Sequence, residues 1–314
     1  MTASMPAASP TPVELDLTPS VAARPSVPAW RVTWRRFRRQ KLPMFALILI
    51  VLIAGASLLA PVIAPYQIDQ MGSVFMGTFS KEHLLGTDNT GFDVFSRLLF
   101  ATRTSLFACL LAAGLGLLGG MVIGLLSGYV GGWLDTVLMR CTDAIMALPG
   151  LMMAMAVVGI LGYGVFNAMI GLSIAFMPGF ARLIRGQVLA VREESFVEAA
   201  RVIGARPPRI ILRHVLPNIA SPLVVQTLMS MGFALLAEGA IAYIGLSVQP
   251  PDASLGSMLQ QGFSFINATP RLILVPGAVI VILSASFNAV ADGIRDALAK
   301  QGRDAPTTTR STTA

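Results

Sequence analysis

Residues 44–64 read MFALILIVLIAGASLLAPVIA, an uncharged apolar run of 21 residues. A helix of that length crosses about 30 Å of hydrocarbon. A cleaved signal peptide is a weaker reading, because its apolar core is shorter and nearer the N-terminus. Further spans are expected at about 104–127, 137–161, 166–184, 219–245 and 272–291, giving six. The composition agrees. Apolar residues make up 54% of the 314-residue chain and charged residues 12%. Mean hydropathy is +0.71. An average soluble domain is about 25% charged, so this chain has too little charge to cover a soluble surface. The expected fold class is an all-α integral membrane protein.

The ends differ from the middle. Residues 1–29 are rich in Ala, Pro, Ser and Thr, show no apolar period and are expected to be disordered. The same is expected of residues 301–314. Residues 30–43 form a basic aromatic segment in which Trp30, Trp34 and Phe37 fall at helical spacing among Arg35, Arg36, Arg38, Arg39 and Lys41. It is either an amphipathic helix on anionic lipid or a topogenic flank of the first span. With six spans and the N-terminus inside, 19 of the 23 Lys and Arg residues fall on the inner side. That asymmetry places both termini in the cytoplasm. The net charge of +7 then describes orientation, and nucleic-acid binding is not expected.

Several residues within the spans stand out. Gly116, Gly120, Gly124 and Gly128 repeat every fourth residue and form one smooth helix face, which suits close helix packing. Arg140 and Asp143 are three apart and are expected to pair, and Pro149 is positioned to kink the same span. Glu238 is an acid well inside a span, where a carboxylate is expensive. It either lines a pathway and meets a cationic group of the cargo, or is protonated or bonded to a neighbouring helix. Cys109 and Cys141 read as packing residues, and no His/Cys metal cluster is visible.

The 44–300 region contains one long polar loop, at about 186–218. Val191 to Ile203 has helical periodicity and Gly204 is a natural stop. Pro207 and Pro208 open a second short helix with Ile210, Ile211 and Val215 on one face, and Pro217 is expected to end it. Two short helices on the positive side suit a docking knob for a cytoplasmic partner. The plainer alternative is a loop resting on lipid headgroups.

Glu198-Ala199-Ala200, Gly204 and Leu216-Pro217 resemble the EAA loop of ABC importer permeases. His214 through Asn218 is similar to the dipeptide/oligopeptide/nickel subfamily. So are Gly86-Thr87-Asp88 with Gly91, Asp93, Ser96 and Arg97, and Gly256-Ser257-Met258-Leu259, and Asp292 through Leu298. Arg206-Pro207-Pro208 and Phe92 depart from the usual pattern. The resemblance implies a type I permease fold forming half of a transmembrane pathway for di- or oligopeptides. It implies a homologous second permease, two cytoplasmic ATPases and an external binding protein as partners. Glu198, Ala199, Ala200, Gly204, Arg209, His214, Leu216 and Pro217 would carry coupling, with Glu198 held by hydrogen bonds or an Arg pair. The chain has no G-x-x-x-x-G-K-[ST] loop, so ATP and Mg are expected on the partner ATPases and no cofactor on this chain. Glutathione, nickel chelates or another small solute are alternative cargoes. A proton-coupled carrier using Glu238 or Asp143, and a structural subunit, are the other classes.

Overall fold

The computed structural model describes residues 29–75, 83–248 and 252–303. The disorder expected of residues 1–29 and 301–314 lies outside these except at Ala29, which opens α1, and at residues 301–303, which are helical at the end of α12. Lys81 and the Gln249-Pro250-Pro251 motif also lie outside the described residues. Of α1 (Ala29–Phe37), the side chain of Trp30 is likewise outside the description.

Among the described residues all regular structure is helical. After α1 come α2 (Lys41–Leu58), α3 (Ala60–Ile63) and α4 (Val94–Val130). Then follow α5 (Gly132–Met146), α6 (Gly150–Leu161) and α7 (Val165–Val191). The polar loop holds α8 (Ser195–Val202) and α9 (Pro207–Ile210), and α10 (Leu216–Tyr243), α11 (Leu255–Phe263) and α12 (Arg271–Arg303) complete the chain. Among the described residues five stretches are long and apolar enough to cross a membrane: α2, α4, α7, Pro207–Tyr243 and Arg271–Ala299 of α12. The expected span at 137–161 is not one straight helix. It is α5 and α6, bent by 87° at the break. Pro149 sits at that break as the N-cap of α6, where its missing N–H removes nothing. The sixth span is therefore a broken span or a re-entrant pair.

The second correction concerns Pro217. It does not end the helix begun at Pro207. A π turn (Ile211–Val215) joins α9 to α10, giving a 37-residue stretch. The Leu216 N–H reaches back five residues to the Ile211 carbonyl. Asn218 Nδ2 donates to the His214 carbonyl at 2.6 Å. The wider turn thus absorbs a proline that cannot donate.

Lipid is as apolar as a leucine side chain, so close backbone approach holds these helices together more than water exclusion does. The α4–α7 joint shows this. A methyl added at Gly124 would stand 2.7 Å from the Ala181 carbonyl oxygen, and one at Gly120 2.8 Å from that of Met177. Gly116 and Gly128 meet Phe176 and Val188 in the same way. At the other end of α10, Gly256 lets α11 lie directly on Gly239 and Ala242. Gly262 lets α11 touch the backbone of Leu272 in α12.

Candidate functional site

The segment 192–216 forms a knob on the Arg-rich end of the bundle. Its geometry begins at Gly204, whose φ of +81° suits a residue without Cβ. Ala205 N–H bonds the Ala200 carbonyl at 3.0 Å, and Gly204 N–H bonds that of Arg201 at 2.9 Å. This paired closure of a helix end reverses the chain after α8. Val197 and Ala200 are thereby turned inward against Val188, Ile210 and Val215. Arg201 lies over the Tyr129 ring at 5.8 Å, tying the knob to α4. Arg192 Nη1 donates to the Gly128 carbonyl at 3.0 Å.

The outer face is different. Val202 and Ile203 are 82% and 83% exposed, and Phe196 and Leu212 also face outward. His214 lies against Phe196, with ring centroids 6.4 Å apart. Glu198, Ala199, Arg209 and Pro217 are exposed, while Leu216 is half-buried. Glu198 carries neither an ion pair nor a side-chain hydrogen bond among the described residues, and Arg201, on the same helix, lies over Tyr129.

Glu238 occupies another place. Its side chain is fully buried and accepts from Ser105 Oγ at 2.9 Å. Ser105 Oγ in turn accepts the Leu255 N–H at 3.1 Å. The other carboxylate oxygen, Oε1, has no hydrogen-bond partner among the described residues, and neither has the buried Ser247 hydroxyl. Glu238 therefore clasps α4, α10 and α11 together. A recess of about 800 Å³ lies between α2, α4, α7, α10 and α12. Apolar residues such as Phe107, Phe166, Met231 and Phe287 line it, with Arg103 and Asp252 as its charged members. Glu238 is not among its lining residues.

The expected Arg140–Asp143 pair is not formed. Asp143 bonds Arg182 of α7 at 2.6 Å instead. Asp135 takes both nitrogens of an Arg185 fork, each at 2.6 Å. Because α5 lies alongside α7, an arginine from the facing helix reaches these carboxylates better than a neighbour three residues away.

At the opposite end, the loop before α4 holds a charge network that spacing did not reveal. Arg97 pairs with Asp88 at 2.6 Å, both nearly buried, and lies 4.7 Å from the Phe92 ring. The other Asp88 oxygen accepts from Thr90 N–H, Thr90 Oγ1 and Phe92 N–H. His83 pairs with Asp93, which also caps α4 through the Ser96 N–H. Gly91, at φ +86°, presses on Gly72 where no Cβ would fit. The D-x-x-S cap at Asp93 was a readable signal; the reach of Arg97 back to Asp88 was not. No trio of His, Cys, Asp or Glu side chains gathers in metal-binding range among the described residues.

Residues 120–303 match the family of binding-protein-dependent transport system inner membrane components. Residues 29–77 match the N-terminal transmembrane domain of oligopeptide transport permease C. The chain belongs to this family. It is a multi-pass inner-membrane component of an ABC import system. It is 36% identical over 272 residues to the glutathione transport system permease protein GsiD of Pectobacterium atrosepticum, covering 86% of this chain and 90% of that protein. It is 36% identical over 275 residues to the dipeptide transport system permease protein DppC of Alkalihalophilus pseudofirmus, covering 87% and 90%. An inward-facing MetNI methionine ABC transporter shares the fold, with TM-score 0.53 and 18% identity over 65% of this chain and 97% of that one.

Proposed function

We propose that this chain forms half of the transmembrane pathway of an ATP-driven importer for di- or oligopeptides. The observation that carries the coupling part is the knob, whose Val202 and Ile203 stand almost bare at the end of a helix closed by Gly204. Such a surface suits insertion into a cleft of a cytoplasmic ATPase. ATP-driven closure of that partner then favours one of two packed states of the bundle.

The assembly is read as two homologous permeases, two ATPases and an external binding protein. ATP and Mg sit on the ATPases, and this chain hydrolyses nothing alone. We read six spans, counting α5 and α6 as one broken span, and the 19 of 23 positive residues that then fall on one side support cytoplasmic termini. Labelling of cysteines introduced near residues 70 and 205 by an impermeant reagent tests the orientation. Only the former should react from outside.

Glutathione is the second reading for cargo, supported by relatives named as glutathione permeases at 36–38% identity. Glutathione is itself a small peptide-like solute, so both cargoes ask similar chemistry of the pathway. Reconstituted complex should take up its solute only with ATP and the binding protein. Loss of uptake to a protonophore with ATP preserved refutes the ATP-driven reading. The ligand retained by the binding protein decides between peptides and glutathione.

A further inference from the structure

The transport reading gives the clustered arginines before the first span no part beyond orienting the chain. α1 runs AWRVTWRRF, and Arg38, Arg39 and Lys41 follow. Two anchors fix where they stand. Phe37 is 2% exposed, packed with Ala46, Val290 and Ala297. Gln40 Nε2 donates to the Gly293 carbonyl of α12 at 3.1 Å. The basic segment is therefore held against the bundle and does not trail from it.

Arg31, Val32, Arg35, Arg36 and Arg39 line a recess of about 390 Å³. Among the described residues the lining is basic with no acidic member, which suits an anion. Arg35 and Arg39 are exposed at its rim. On the same helix Trp34 is 45% exposed and stacks on Phe37. Past the corner, α2 turns Leu42, Phe45, Ile48 and Leu52 outward along one side. Along the chain the exposed indole falls among the arginines of the recess, and the apolar stripe of α2 follows both. A phospholipid likewise carries its charged headgroup and interfacial ester region at one end and its acyl chains beyond them.

We propose that this recess binds the headgroup of an anionic phospholipid whose acyl chains lie along the outward stripe of α2. A free phosphate would use the recess and leave the stripe idle; a lipid uses both. The inference needs only that the chain is embedded in a bilayer, and is independent of cargo and of coupling.

The full-length chain, released from bilayers of mixed phosphatidylglycerol and phosphatidylcholine, is titrated by native mass spectrometry. The first phosphatidylglycerol should bind more tightly than phosphatidylcholine. Arg35→Ala with Arg39→Ala should weaken it by about fivefold per arginine. Lysine at both positions should keep most of the affinity. Arg206→Ala with Arg213→Ala removes the same charge elsewhere and should leave it unchanged. No headgroup preference in the wild type overturns the proposal. So does an equal loss in the 206/213 pair, which marks a bulk charge effect. Displacement of the lipid by millimolar inorganic phosphate marks a soluble-anion site instead. Binding that emerges only after residues 1–28 are removed makes that segment the occupant, and also overturns it.

Discussion

The two ends of α4 and its neighbours are built on opposite plans. At the Asp88–Arg97 end, the buried charges Asp88, Arg97, His83 and Asp93 are paired with one another, with only single atoms such as Arg97 Nε and Asn89 Oδ1 left without a hydrogen bond among the described residues. At the knob, Glu198 is exposed and unpaired, and large apolar side chains stand in the open. A self-satisfied end is a frame that holds its shape alone. An unsatisfied end is completed by something else. The difference separates residues that maintain the fold from residues that meet a partner, and substitutions should divide accordingly.

The largest effect on folding is expected at Arg97→Ala. It strands Asp88 as an unpaired buried charge, a loss of about 3–5 kcal/mol. Thermal unfolding in detergent measures it. Adding Asp88→Asn should restore part of that loss, and a double variant no better than the single one would show that pairing is not the cause.

Next comes Gly120→Val in the α4–α7 joint, an overpacking worth about 1–3 kcal/mol. The same assay with Gly114→Val, where nothing lies within 4 Å of an added methyl, provides the comparison. Equal losses at both sites would deny the joint its special tightness.

Ser105→Ala removes an acceptor for Leu255 and a donor to Glu238, with an expected loss of about 1–3 kcal/mol. Glu238→Gln retains the acceptor and should change both stability and uptake little. A deep loss of uptake with normal assembly would return Glu238 to the pathway.

The smallest effect on stability is expected at the knob. Val202→Ser with Ile203→Ser should shift unfolding by less than about 0.5 kcal/mol. Uptake and retention of the ATPase on purification should nevertheless fall sharply. Full uptake in that variant would end the reading of the knob as a docking surface.

The sequence exposed those features whose cause is local. A bilayer demands long apolar runs, so α2, α4, α7, α10 and α12 were visible as hydropathy. The four-residue glycine period announced a smooth face, though not that α7 would fill it. Gly204 marked a helix stop because closing a helix this way needs positive φ. Features decided by distant partners were hidden. Asp143 chose Arg182 over Arg140 only because α5 lies beside α7. The burial of Glu238 depended on Ser105, 133 residues earlier. Pro217 looked like a terminator because spacing does not reveal a π turn.

That π turn has a mechanical consequence. Because the helix does not stop at Pro217, Pro207 to Tyr243 is one continuous helical stretch, about 55 Å long at 1.5 Å per residue. Its near end carries the knob and its far end carries Glu238, clasped to α4 and α11. Tilting a rod of that length by about 10° carries one tip roughly 10 Å relative to the other. On the coupling reading proposed above, a push delivered at residues 202–207 would travel along this one helix toward the clasp at Glu238.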